Sequence, residues 1–127
     1  MDIRLFVREL ATQVGGTFQE FDNLCMISYP LQNGIRRDVF ASVISKPATR
    51  LVGFTSIVGA INPGTDFRKL LDFSHHQCYS KVTISGDNVC VSAVTKDAYT
   101  SEAQMRDMVH EVAYASAQLA EMLLKLN

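Results

Sequence analysis

The chain has 127 residues, of which 47% are hydrophobic and 20% are charged, so its composition is that of an ordinary globular domain. This length favours one domain spanning residues 1–127, and this composition excludes a disordered chain. Twelve Lys and Arg residues against 13 Asp and Glu residues give a net charge of −1. The chain therefore lacks the basic excess that is typical of nucleic-acid binding.

Two features of the sequence concern its compartment. No apolar run approaches the roughly 20 residues needed to span a bilayer, and the first ten residues lack the apolar core of a signal peptide. The three cysteines, Cys25, Cys78 and Cys90, are an odd number without paired spacing, which is typical of a reducing environment. We therefore expect a cytoplasmic protein that binds no membrane and no nucleic acid.

The first predicted element is a short helix. Residues 3–14 carry apolar side chains at three- and four-residue spacing, and Asp2 is placed to cap the N-terminus. Gly15-Gly16 follows, and glycine readily adopts the left-handed conformation that ends a helix. The sequence therefore predicts a helix over residues 3–14 with one apolar side.

A β-sheet is predicted to follow this helix. Between Phe18 and Ala60 the apolar side chains alternate with period two, among β-branched and aromatic residues. Asn33-Gly34 favours a type I′ hairpin turn, because both central positions of that turn require positive φ. With that turn, the numbers of opposing residues sum to 67. This register places five large apolar residues on one face of the hairpin: Cys25, Ile27, Tyr29, Phe40 and Ile44.

A third strand, a second helix and a second hairpin are predicted in the middle of the chain. Residues 50–60 have the pattern of a third strand, and residues 66–76 have that of a helix. Residues 78–96 are expected to form a second hairpin. Glycine at the first central position of Gly86-Asp87 suits a type II′ turn, with which opposing residue numbers sum to 173.

The last predicted element is a long helix. Ser101 and Gln104 form a capping box, and apolar residues then recur at three- and four-residue steps to about Leu126. The predicted fold class is α+β, with the element order α-β-β-β-α-β-β-α. Its sheet is expected to be five-stranded, mainly antiparallel and packed against the helices.

Two segments of the C-terminal half resemble a known family. The segment LLDFSHHQCYSKVTISGDNVCVSA, from Leu70 to Ala93, is similar to a leucine-bearing helix, a polar connection and a tight hairpin of that family. The segment TSEAQMRDMVHEVAYASAQLAEML, from Thr100 to Leu123, is similar to its long closing helix. The family is the YbjN-like family, which shares the fold of the small chaperones of type III secretion systems. The resemblance implies a non-enzymatic α+β domain, often dimeric, that binds protein or peptide.

The predicted functional surface is an uncovered apolar face of the sheet. Helices on one side of an open sheet leave its other side bare, and an exposed apolar face of this kind usually marks an interface. We predict that the binding surface comprises Ile27, Tyr29, Arg37, Phe40 and Phe54. The expected partner is a protein or peptide, and the chain is expected to act as a homodimer. No catalytic residue, metal or cofactor is expected.

The sequence leaves other functions open. His75, His76 and Cys78 supply ligand types that suit zinc, so the alternative function is a small metal- or thiol-dependent enzyme. Against it, adjacent histidines on a helix point roughly 100° apart, and the hairpin register predicts that Cys78 points into the core. Arg36-Arg37 with Arg50 forms a candidate basic patch for an acidic peptide or a phosphate. A further possibility is a sensor that holds a small apolar ligand between sheet and helix.

Overall fold

The computed structural model describes residues 1–126, with side chains described as far as Leu123. Within these residues three α-helices and six strands form: α1 (Ile3–Val14), β1 (Thr17–Glu20), β2 (Leu24–Pro30), β3 (Arg36–Lys46), β4 (Thr49–Ala60), α2 (Phe67–His75), β5 (Lys81–Ser85), β6 (Asn88–Lys96) and α3 (Glu102–Leu126). All strand pairs are antiparallel, and the spatial order of the strands is β1-β2-β3-β4-β6-β5. The predicted α+β class is confirmed.

The predicted number of five strands is wrong, because β1 was not expected as a separate strand. This strand has only four residues, of which only Phe18 is even partly buried. Four residues with one half-buried side chain are too few to show an alternating pattern. The strand forms because α1 ends immediately before it and because it can pair along β2, from Thr17 opposite Ser28 onward.

The two glycines that end α1 have different tasks. Gly15 has φ of 75°, the left-handed conformation that was predicted for the end of the helix. Gly16 lies so close to β2 that a Cβ atom on it would overlap the Ser28 carbonyl oxygen. The chain can therefore pass directly from α1 into β1 only because residue 16 has no side chain.

The helices pack on one face of the sheet. Helix α1 lies over β1, β2 and β3, helix α3 crosses β3, β4 and β6, and α2 contacts the edge strand β5. Alternate residues of the strands point toward these helices and join them in one core. Its largest fully buried side chains include Ile27, Val39, Val52, Phe54, Val89, Val91, Leu70, Met105, Val109, Val112 and Leu119.

The first hairpin has a register that differs by one residue from the predicted one. Its turn forms as expected at Asn33-Gly34, where both residues have positive φ and the Ile35 N–H donates to the Gln32 carbonyl. The Leu31 N–H also donates to the Ile35 carbonyl, so Leu31 and Gln32 both lie opposite Ile35. This extra residue is a β-bulge, and beyond it opposing residue numbers sum to 66 instead of 67.

The second hairpin and the last helix agree with the sequence-based predictions. Opposing residues of β5 and β6 sum to 173, and Gly86 at the first turn position has φ of 58°. Helix α3 is capped by Ser101, whose hydroxyl oxygen accepts a hydrogen bond from the Gln104 N–H at 3.1 Å.

Replacing Gly16 with Ala should destabilise the fold. The new methyl group would overlap the Ser28 carbonyl oxygen, a backbone atom of β2 that cannot move away as the end of a flexible side chain could. We expect the free energy of unfolding to fall by about 1–3 kcal/mol, measured by urea denaturation. The matched control is Gly59→Ala in β4, where a Cβ would have no atom within 4 Å, and it should change stability by less than about 0.5 kcal/mol. Equal effects of the two substitutions would contradict this explanation.

Candidate functional site

The face of the sheet that points away from α1 and α3 is the candidate functional site, and we call it the open face. Strand register assigns its residues, because side chains alternate between the two faces along every strand. Its central residues are Leu24, Met26, Phe40, Ser42, Ile44, Leu51, Thr55, Ile57, Cys90, Ser92 and Val94. The buried residues of all three helices belong to the core on the opposite side.

Large apolar side chains are exposed on the open face. Ile57 and Val94 have about half of their surface in contact with solvent, at 49% and 54%, and Ile44 has 38%. At the β1–β2 end of the sheet, the exposed Phe21 ring lies 6.4 Å from the Phe40 ring, measured between centroids. A surface of this kind is typical of an interface with another molecule.

Hydroxyl groups run across the middle of the open face. The Ser92 hydroxyl lies 3.0 Å from the Thr55 hydroxyl on one side and 3.3 Å from the Thr83 hydroxyl on the other. These side chains line a cleft of about 350 Å³ between β3, β4, β6 and β5, which Phe40 and Ile57 also line. The open face therefore combines an apolar border with a row of groups that can donate or accept hydrogen bonds.

The predicted binding residues do not lie together on this face. Ile27 and Phe54 are fully buried beneath the helices, and Tyr29 is 8% exposed. Phe40 points to the open face, where it lies opposite Met26 on β2 and Thr55 on β4. The predicted grouping of Phe40 with Ile27 and Tyr29 on one exposed face is wrong, because the bulge shifts β3 by one residue against β2.

Tyr29 and Arg37 bind α3 at the border of the core. The Tyr29 hydroxyl lies 3.0 Å from Nδ1 of His110, and burial raises the pKa of this hydroxyl. Arg37 donates from Nε to the Ser116 hydroxyl at 3.2 Å and from Nη2 to the Ile57 carbonyl at 2.7 Å. Both side chains thereby fix α3 to the sheet, which is a structural role.

The alternation of residues in β4 and β6 indicates which side chains share the open face, although the sequence-based prediction did not include them. In β4 and β6, small polar residues alternate with buried ones. Thr55 lies directly opposite Ser92, and Thr83 on the next strand lies diagonally to Ser92, opposite Cys90. Ile57 and Val94 share that phase of the alternation, so they point to the same side. Only the position of the helices shows that this is the exposed side.

His75, His76 and Cys78 lie at the end of α2, all three exposed. The imidazole rings of the two histidines meet edge to face at 5.5 Å, and Nδ1 of His76 donates to the Asp72 carbonyl at 2.8 Å. Cys78 precedes β5 and points to solvent, so the prediction that it points into the core is wrong. Among residues 1–126, no three His, Cys, Asp or Glu side chains are close enough to hold a metal ion.

The segment before β5 is held by the carboxylate of Glu111 on α3. Three successive backbone N–H groups donate to it, from Cys78 at 3.1 Å, Tyr79 at 2.8 Å and Ser80 at 2.7 Å. Partial burial of the carboxyl disfavours its charge, but the donors of Ser80, Tyr79 and Cys78 outweigh this penalty. The pKa of Glu111 is consequently lower than that of an ordinary glutamate.

Replacing Glu111 with Gln should lower stability in a manner that depends on pH. A pKa that is lower in the folded chain stabilises the fold above the unfolded value of about 4.3, and this contribution disappears as pH falls through the folded value. At pH 7 we expect a loss of about 1–2 kcal/mol, because the carboxylate is only partly buried. The difference from the original chain should shrink below about pH 4, as urea denaturation at several pH values would show. Glu9→Gln, on the exposed side of α1, is the control and should have no such profile. A difference that stayed constant with pH would contradict the role of the charge.

Comparison with known proteins finds no family model that matches the chain and no curated protein with significant similarity. The resemblance to the YbjN-like family accordingly stays a prediction. Among the described residues, no helix is both long enough and apolar enough to cross a membrane. The functional hypothesis therefore depends on the geometry of the open face.

Proposed function

We propose that this protein is a non-enzymatic binding module, chaperone-like or regulatory, which binds segments of another protein on its open face. The observation that carries this proposal is the exposure of Ile44, Ile57 and Val94 on a sheet face that α1 and α3 leave bare. Burial of such apolar surface by a partner is the main source of free energy in protein association.

The composition of the open face favours a protein segment as the ligand. Its aliphatic border offers places for apolar side chains, and the hydroxyl row of Thr55, Ser92 and Thr83 offers hydrogen bonds to a partner's polar groups. The cleft between Phe40 and Ile57, about 350 Å³ in volume, is large enough for one or two side chains. A segment of several residues would therefore be held by its side chains along the face.

The alternative of a thiol- or metal-dependent enzyme has less support. Burial raises the pKa of the thiols of Cys25 and Cys90, which keeps them protonated and poorly nucleophilic at neutral pH. Around Cys78, the Glu111 carboxylate is occupied by backbone N–H groups and His76 uses Nδ1 for the Asp72 carbonyl. The three unpaired cysteines also favour the cytoplasm as the place of function.

The proposal includes a homodimer that forms through α2. Leu71 is 69% exposed on this helix, and Phe67, one turn earlier, is 49% exposed. Pairing of two open faces would cover the surface that is proposed to bind the partner segment. A dimer through α2 would leave both open faces available to partners.

The dimer can be tested by light scattering on the peak that elutes from a sizing column. We expect a mass of about 28 kDa, twice the chain mass of 14.1 kDa, at micromolar concentration. Leu71→Asp should give the monomer mass, whereas Ile57→Asp on the open face should leave the dimer intact. A monomer for the original chain, or a dimer lost only with Ile57→Asp, would contradict pairing through α2.

Binding at the open face can be tested by selecting ligands from a displayed library of random 15-residue peptides. We expect selected peptides to bind the original chain and to lose at least tenfold in affinity for Ile57→Asp, because a charge would enter the apolar border. Leu5→Asp is the matched control, since Leu5 has the same exposure, 49%, on the outer side of α1. Fluorescence anisotropy measures both affinities.

Two results would contradict the proposal. One is the absence of any selected peptide. The other is a set of peptides whose affinity falls with Leu5→Asp and not with Ile57→Asp, since that would place the binding surface on the helical side.

A further inference from the structure

The open face has a charge opposite to that of the whole chain. Register places four basic residues on it, Arg36, Lys46, Lys81 and Lys96, and one acidic residue, Asp38. The complete chain has a net charge of −1, so the rest of its surface has an acidic excess. Basic groups are therefore concentrated on the face where apolar side chains are exposed.

Among the side chains that the structure describes, no salt bridge joins a lysine of the open face to an acidic residue. Salt bridges among the described residues join Arg4, Arg8, Arg50 and the N-terminus to Glu20 and Asp97, which all lie on the helix side. Lys46, Lys81 and Lys96 belong to none of these pairs, and all three side chains are exposed. Their charges remain available to a molecule that approaches the open face.

The lysines lie beside the apolar residues of that face. Lys96 is directly opposite Leu51, which is opposite Ile44 on the next strand. Lys81 is opposite Ser92, which belongs to the row of hydroxyl groups. Because neighbouring strands are about 4.8 Å apart and residues rise about 3.4 Å, Lys81 and Lys96 lie on the order of 14 Å from one another, the length of four or five extended residues.

We propose that the segment bound by the open face is acidic and amphipathic, with Asp or Glu side chains between apolar ones. Its apolar side chains would enter the cleft beside Phe40 and Ile57, and its carboxylates would meet Lys81 and Lys96. This inference rests on the proposed function and specifies its ligand. Complementary charge would set the choice of partner and the rate of association more than the total affinity.

The chemistry of the open face favours a protein segment over a nucleic acid. Sheets that bind single-stranded nucleic acid stack the bases on aromatic side chains. The open face has the partly buried Phe40 and, at its β1–β2 end, the exposed Phe21, whereas the other large residues of the cleft, Leu24 and Ile57, are aliphatic. Aliphatic side chains with lysines at their border suit leucine- or isoleucine-containing acidic peptides.

The test selects peptides from the displayed 15-residue library twice, once on the full-length chain and once on the variant K81E/K96E. The original chain should select peptides enriched in Asp and Glu between apolar residues, and K81E/K96E should bind them at least tenfold more weakly. The variant should itself select basic peptides. R8E/R106E on α1 and α3 makes the same change in net charge away from the open face and from α2, and it should leave the affinity of the acidic peptides unchanged.

The outcomes separate this inference from the proposed function. Peptides whose affinity falls with Ile57→Asp but which are not enriched in Asp and Glu would overturn the inference. They would leave the open face as the proposed binding surface. The absence of any bound peptide would overturn both. The inference would be overturned in favour of a nucleic acid if a 20-nucleotide single-stranded RNA bound more tightly than the peptides and if K81E/K96E abolished that binding.

Discussion

Every strand of this sheet directs alternate side chains to opposite faces, and the helices bury only one of those faces. On that face α1 lies over β1, β2 and β3 and α3 lies over β3, β4 and β6, while α2 packs at the β5 edge with Leu70 in the same core. The other face must then present whatever side chains its strands place there. These include Ile44, Ile57 and Val94, whose exposure brings no benefit to an isolated chain. The proposed function follows from this asymmetry.

Two local features, at Gly16 and at Glu111, help to hold the helices against one face of the sheet. The missing side chain of Gly16 lets the chain enter β1 directly from α1, which fixes α1 over the first three strands. The Glu111 carboxylate holds the backbone of residues 78–80, and thus the connection between α2 and β5, against α3. Neither residue lies on the open face. Both would therefore support the proposed binding only indirectly, by positioning the sheet relative to the helices.

Local sequence patterns predicted most of the fold but not the residues of the open face. The turns at Asn33-Gly34 and Gly86-Asp87 and the Ser101 cap were correct, since each depends on the conformation of a few adjacent residues. The bulge at Leu31 depends on how two strands meet, and no local pattern indicates it. Because both faces of the first hairpin carry large apolar residues, alternation could not reveal the one-residue shift. The buried Ile27 was consequently grouped with Phe40, which points to the open face.

Methyl NMR spectroscopy can show whether partner segments bind the open face. A selected peptide is titrated into the chain with labelled Ile, Leu and Val methyl groups. We expect the signals of Ile44, Ile57 and Val94 to change and those of Val109 and Leu119, buried on the inner side of α3, to stay unchanged. Changes confined to helix residues such as Leu5 or Leu71, with the open-face methyl signals unaffected, would contradict binding at the open face.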